Sequence, residues 1–322
     1  MDYGSLIRDA WALTWRYRFL WVLGLFTGTA VGSCSGFGTG NQFQSRPSSG
    51  DLSRIAPGME QIPVEVEQWV VSHPATVALV VGVLVLLGLV LLFVSLVAQG
   101  GMTEATVDLA RQQPVTLGIA WNAGLHLFWR FLGLVLLLIV AAIVLAALFA
   151  AIVALAVLSS TVVSGNARGL VAALWVLLGI VLALVAIPTA IGVSIVLAWA
   201  QRAIVVENVG PIVAVRDGWE LLRQHLGSSV MVWLVNVGLS LAAGLAVLFG
   251  LVGVVAILAL IGVIVWTLIG FTTATVIYIG VGVVIAIAAL WLMEAIVNTF
   301  FWSYWTLAYL RISGRQPRQA VA

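Results

Sequence analysis

Charge is scarce in this chain of 322 residues: 8% are Asp, Glu, Lys or Arg, 63% are hydrophobic, and the mean hydropathy is +1.18. So little polar surface excludes a water-soluble globule and makes the bilayer the expected solvent. From Gln224 to Met293, seventy residues pass without one Asp, Glu, Lys or Arg. A span needs only about 20 apolar residues, so at least two crossings are expected there. The single cysteine, Cys34, excludes an intrachain disulfide framework and any multi-cysteine metal site. Lysine is absent altogether, which is read as genome composition rather than mechanism. The three histidines, His73, His126 and His225, stand at no ligand spacing and near no carboxylate pair, so neither a metal nor another cofactor is expected. No phosphate-binding loop, nucleophile elbow, HExxH or dinucleotide fingerprint occurs, and the chain does not read as an enzyme.

What is abundant is apolar sequence in long runs. Lipid cannot satisfy backbone N–H and C=O groups, and these runs lack the strict alternation of a barrel strand, so each is expected to be helical. The reading is an all-α bundle with six spans, at about 17–35, 75–98, 131–158, 170–200, 229–260 and 275–309. The turn between the last two is expected in the Thr-rich patch from Trp266 to Thr275. Arginines set the orientation. Arg8, Arg16, Arg18, Arg111, Arg130, Arg202, Arg216, Arg223, Arg311, Arg315 and Arg318 fall on one side, against Arg46, Arg54 and Arg168 on the other. The positive-inside rule puts the first group, and both termini, in the cytoplasm of a bacterial inner membrane protein.

One transmembrane domain is expected over residues 1–311, followed by a disordered cytoplasmic tail over 312–322. Its outer loop, about 33–73, opens rich in Gly, Ser, Gln and Pro, as a flexible linker does, and then carries Glu60, Glu65 and Glu67 ahead of Trp69. Ile62, Val66, Trp69 and Val70 recur at helical spacing, which suggests a short surface helix there.

Three short amphipathic stretches each lead into apolar sequence: Ser5-Leu-Ile-Arg-Asp-Ala-Trp11, Thr116-Leu-Gly-Ile-Ala-Trp121 and Ala214-Val-Arg-Asp-Gly-Trp219. They divide the chain into three repeated units of interfacial helix plus helical hairpin. In 211–226, Val213, Val215, Trp219 and Leu222 point one way and Arg216, Glu220 and Arg223 another. Such a helix lies in the headgroup plane, with Trp at the carbonyl level and Arg on anionic phosphates. Trp11, Arg16, Arg18, Trp121, Arg130, Arg216, Trp219 and Arg223 are therefore candidate contacts to lipid headgroups or to a partner protein. The plainer reading makes them anchors that orient the next span.

Glu294 is the one carboxylate within the apolar runs, with Asn298 one turn on along the same face. An ionisable group at that depth needs a partner, a cavity or water. It can be structural glue to a neighbouring span, with Asn236 as the example, or a substrate or proton site, or a subunit contact. Gly24, Gly28 and Gly32 form a GxxxGxxxG face that suits packing on a sibling span or homodimerisation, and Ser240 and Gly244 offer a second small face. Pro188 should kink the fourth span. Val31-Gly-Ser-Cys34 resembles a lipoprotein processing site, but the repeat argument makes residues 5–32 part of the fold.

The stretch Gln201-Arg-Ala-Ile-Val-Val-Glu-Asn-Val-Gly-Pro-Ile-Val-Ala-Val-Arg-Asp-Gly-Trp-Glu-Leu-Leu-Arg223, with Asp2-Tyr-Gly through Trp21-Val-Leu-Gly24 and Trp305-Thr-Leu-Ala-Tyr309, resembles uncharacterised bacterial six-span proteins. These are related to the membrane domain that precedes some glycerophosphodiester phosphodiesterases. The resemblance covers most of the chain and implies the six-span fold. Diesterase activity is not expected, because the Glu and His clusters of hydrolysis are missing. A scaffold or accessory component organising lipids or partner proteins is expected first, a homo-oligomer being one form of it. The alternative is a transporter or lipid-handling protein with a mid-membrane site near Glu294.

Overall fold

The computed structural model describes residues 2–28, 72–162, 167–270 and 273–314, and every regular element among them is a helix. In chain order these are α1 (Tyr3–Arg16), α2 (Leu20–Thr27), α3 (Pro74–Ala110), α4 (Leu117–Val162), α5 (Ala167–Val206), α6 (Pro211–Gln224), α7 (Leu226–Ile269) and α8 (Thr273–Ile312). Gly32, Cys34, the acidic part of the outer loop and the tail beyond Gly314 lie outside the described residues.

Local chemistry sets the helix ends. The Asp2 side chain caps α1, accepting from the N–H groups of Gly4 at 3.0 Å and Ser5 at 3.3 Å. Those donors, Ser5 first, hold its carboxyl below the ordinary value, so the cap persists until strong acid protonates it. Pro74 and Pro211 open α3 and α6 at positions where a missing N–H costs nothing. Gln112 (φ 60°) and Asn208 (φ 57°) end α3 and the α5 exit in the left-handed region, and Gly270 (φ 74°) follows α7 inside the expected turn patch. Helix α5 runs unbroken through Pro188.

Five helices, α3, α4, α5, α7 and α8, are long and apolar enough to cross a membrane. The first expected span is described only as α2, up to Gly28. The five contain 37 to 46 residues, which at 1.5 Å per residue is about 55 to 70 Å, well beyond a hydrocarbon core of about 30 Å. Each therefore extends beyond the hydrocarbon core.

Packing gathers at one end of the bundle. Burial concentrates in the carboxyl-terminal portions of α3 (Ser95–Leu109), α5 (Ile195–Ile204) and α8 (Ala295–Leu310), with α1, α2, α6 and the first turns of α4 and α7 against them. Toward the other end, Leu84, Leu145, Leu184 and Val284 are all exposed. In water such a surface would aggregate; in hydrocarbon it is the lipid face.

The packed end is held by helix pairs that touch through their backbones. A Cβ on Gly101 of α3 would strike the Ala120 carbonyl of α4, and one on Gly124 would strike that of Val97. A Cβ on Gly218 of α6 would lie 2.7 Å from the Val196 carbonyl of α5, and one on Gly24 of α2 would lie 2.6 Å from the Ala295 carbonyl of α8. Small residues allow this approach where lipid offers no hydrophobic drive to association. Helix α1 then lies on the end of α8, where Arg311 pairs with Asp9 and donates to Ser5 Oγ at 2.9 Å.

Two sequence expectations change. The stretch at Trp121 is no separate interfacial helix: α4 runs on from Leu117 into the span, because no breaker interrupts it between Thr116 and Arg130. In α6, the buried face is Ala214, Gly218 and Leu222, whereas Val213 and Trp219 are exposed. Small size at i and i+4 outweighed hydrophobicity, since only Gly218 lets the helix touch α5.

Gly101→Val and Gly124→Val should each overpack the α3–α4 crossing by about 1–3 kcal/mol or more. Thermal unfolding in mild detergent should show a clear loss for both and none for Gly192→Ala, whose added Cβ meets nothing within 4 Å.

Candidate functional site

Two places gather several polar contacts between helices. The larger is a layer at the packed end, built from the aromatic run of α8. Trp302 Nε1 donates to Thr103 Oγ1 of α3 at 2.7 Å, and Trp305 Nε1 to Asn236 Oδ1 of α7 at 3.0 Å. Tyr304 OH donates to the Val232 carbonyl at 3.0 Å, and Tyr309 OH to Glu207 Oε1 at 2.6 Å. Trp199 of α5 packs edge-on against Trp305, with ring centroids 5.2 Å apart. Four spans are thus stitched together by bonds that lipid could not replace.

Arg202 sits within this layer, 2% exposed. Its Nη1 donates to the Ala198 carbonyl at 3.0 Å and to Gln201 Oε1 at 2.9 Å, and its guanidinium carbon lies 4.6 Å from the centre of the Trp302 ring. Its Nε has no hydrogen-bond partner among the described residues, and no described carboxylate pairs with it. A cation so placed relies on an aromatic face and on neutral oxygens. Counted by sequence only as a marker of orientation, it is the most buried charge described. The available signal was its position, with the apolar run continuing as Ala203 to Val206 behind it.

The smaller place is the α2–α8 crossing. Asn298 Nδ2 donates to the Gly24 carbonyl at 3.3 Å, and Thr299 Oγ1 to that of Leu20 at 3.3 Å. A Cβ on Gly28 would collide with Asn298 Nδ2 and lie 3.2 Å from Glu294 Oε1. Glu294 and Asn298 thus converge on the glycine face, with Glu294 itself on the exposed side of α8. Asn236 belongs to the other group, taken by Trp305. Gly24 and Gly28 pack within the chain; Gly32, the third member of that face, is outside the described residues.

The candidate interfacial residues rim the packed end without converging. Trp11, 53% exposed, packs at a tilt against Trp15 and edge-on against Phe300. Arg16 lies over the Tyr17 ring, and Arg18 is exposed beside it. Arg130 donates to Asn208 Oδ1, tying α4 to the α5–α6 link. Arg216, Trp219 and Arg223 are exposed along α6. Trp121 instead faces a cleft of about 350 Å³, walled by Val22, Leu23 and Phe26 of α2 and by Leu117, Gly118 and Trp121 of α4.

Thr103→Val removes the acceptor of a buried Trp302 N–H and should cost about 1–3 kcal/mol. Arg202→Met exchanges a poorly compensated buried charge for an apolar chain of similar reach, and should be neutral or stabilising. Denaturation in detergent checks both: a large loss for Arg202→Met would mean that its ring and carbonyl contacts more than repay its burial.

Residues 11–313 match the Family of unknown function (DUF7544), and the chain belongs to that family. No curated protein and no solved structure matches it.

Proposed function

We propose that this member of the family is a non-enzymatic integral membrane protein, a scaffold or accessory component that organises lipids or partner proteins in a bacterial cytoplasmic membrane. The observation that carries this reading is how the intramembrane polar groups are used. Asn298, Thr299, Asn236, Trp302 and Tyr304 each bond a neighbouring helix, which is the behaviour of structural glue. Glu294 is exposed at the side of the bundle, the disposition of a group that meets a partner protein.

The same reading takes α2 onward past Gly28 as a sixth span, with three units of interfacial segment plus hairpin. In its support, each interfacial segment packs on the carboxyl-terminal part of an even-numbered span: the start of α4 on α3, α6 on α5, and α1 on α8. Arg111, Arg130, Arg202, Arg216, Arg223 and Arg311 all belong to the packed end. By the positive-inside rule that end faces the cytoplasm. Kinship with the membrane domain of glycerophosphodiester phosphodiesterases belongs to this reading too, as the source of a six-span architecture without the diesterase chemistry.

One observation favours a second reading, a transporter or lipid-handling protein. Glu294 and Asn298 approach the α2 backbone at Gly28 together, and polar groups converging on a helix crossing within the membrane are where carriers place their sites. Intact-mass analysis of the gently solubilised protein separates the two. The scaffold reading predicts a homo-oligomer or a stoichiometric protein partner, reduced when Glu294 is changed to Leu. A monomer that holds a defined small molecule, lost in Glu294→Gln, would replace it with the carrier reading.

A further inference from the structure

The cleft between α2 and α4 is the feature that the polar layer leaves unused. Its walls, Val22, Leu23, Phe26, Leu117, Gly118 and Trp121, offer almost no polar atom. Val22 and Leu117 on its walls, and Ile119 next to Gly118, are exposed apolar residues, so an apolar chain is the natural filling, and water would find nothing to bond. Its position along the bundle is fixed by both walls. Helix α2 begins at the packed end, where Leu20 meets Thr299, and α4 begins there as well, where Ala120 meets Gly101.

Arg18 stands at the same end of the cleft. It lies in the turn just ahead of α2, four residues before Val22 of the cleft wall. The turn that carries it is defined, with the Trp21 N–H bonded to the Arg18 carbonyl at 3.1 Å. Its side chain is exposed and has no hydrogen-bond or ion-pair partner among the described residues. Arg16, two residues earlier, is likewise exposed, over the Tyr17 ring. A free guanidinium at the rim of an apolar slot matches an amphiphile with an anionic head and a hydrocarbon tail.

We propose that this cleft seats one anionic glycerophospholipid, an acyl chain lying between α2 and α4 and the phosphate on Arg18. The proposal deepens the lipid-organising side of the function proposed above and rests on the chain being a membrane protein. Trp121 closes the slot near the level of the ester carbonyls, where an indole N–H is at home. Gly118 keeps it open: a Cβ there would meet nothing within 4 Å. A larger side chain at Gly118 therefore strikes no core atom at its Cβ, and it stands on the wall of the cleft.

The test uses the full chain in membranes containing phosphatidylglycerol with a photoactivatable group on one acyl chain, and the phosphatidylcholine analogue of the same chain length. Illumination should label peptides covering Leu20–Thr27 and Leu117–Trp121 with the first lipid several times more than with the second. Gly118→Phe should lower that labelling about tenfold, a displacement of about 1.4 kcal/mol, with an unfolding profile like the wild type. Arg18→Gln leaves the cleft intact and should reduce phosphatidylglycerol labelling about fivefold, to the phosphatidylcholine level. Equal labelling by the two lipids in the wild type, or labelling indifferent to Gly118→Phe, would overturn the proposal. Absence of a protein partner in the intact-mass experiment would count against the scaffold reading and leave this expectation as it stands.

Discussion

Backbone meeting backbone at a handful of glycines is the contact on which the other features of this bundle rest. A helix in lipid gains nothing from burying leucine against leucine, because hydrocarbon already surrounds it. What does hold it is close packing and polar bonding, and both require the axes to come near. Gly101 and Gly124 bring α3 and α4 together, Gly218 does so for α6 and α5, and Gly24 for α2 and α8. Only after that approach can Asn298 reach the Gly24 carbonyl and Thr299 that of Leu20. The glycines also explain why order gathers at one end, since no comparable approach is made along the lipid-facing lengths of α5 or α7 at Gly179, Gly192, Gly238 or Gly253.

The aromatic layer uses the space this packing leaves. Trp302, Trp305 and Tyr304 each carry a polar tip on a large apolar body, so they fill volume and bond a neighbouring helix at once. Arg202 is costly by comparison, a cation whose described support is two oxygens and an indole face. Its place beside Trp302 ties α5 to the α8 run that also grips α3 and α7. Two kinds of surface then face outward: a rim of exposed Trp and Arg around the packed end, and a broad apolar wall beyond it. Both are surfaces that the proposed role with lipid or with other membrane proteins would use.

Much of this fold could be read from residues alone. The apolar runs gave five helices close to where they stand, and the expected turn patch holds Gly270. The amphipathic stretch expected over 211–226 is a helix that opens at Pro211. Less legible was everything that depends on which helix lies beside which. In α6 the apolar pattern marks a face for the headgroup plane, yet Gly218 is what fits against Val196, and hydrophobicity cannot express that preference. Asn236 and Glu294 looked like possible partners as lone polar residues in apolar sequence, but the indole that engages Asn236 lies 69 residues away on α8. Arg202 serves the positive-inside rule as a loop charge, and that role masks its place as a charge within the core.

The claim that bears the most weight is that the chain closes on itself, α1 and α2 lying against the last part of α8. Asp9 and Arg311 mark that contact and are 53% and 28% exposed, and a surface pair of this kind is worth about 0–1 kcal/mol, so both positions accept cysteine. With Cys34 changed to Ser, the Asp9→Cys, Arg311→Cys protein would be treated in intact membranes with a short bis-maleimide and resolved by mass. Efficient linkage within one chain is the result expected here. Linkage only between chains, or none where each single cysteine is shown to react, would contradict the closed bundle.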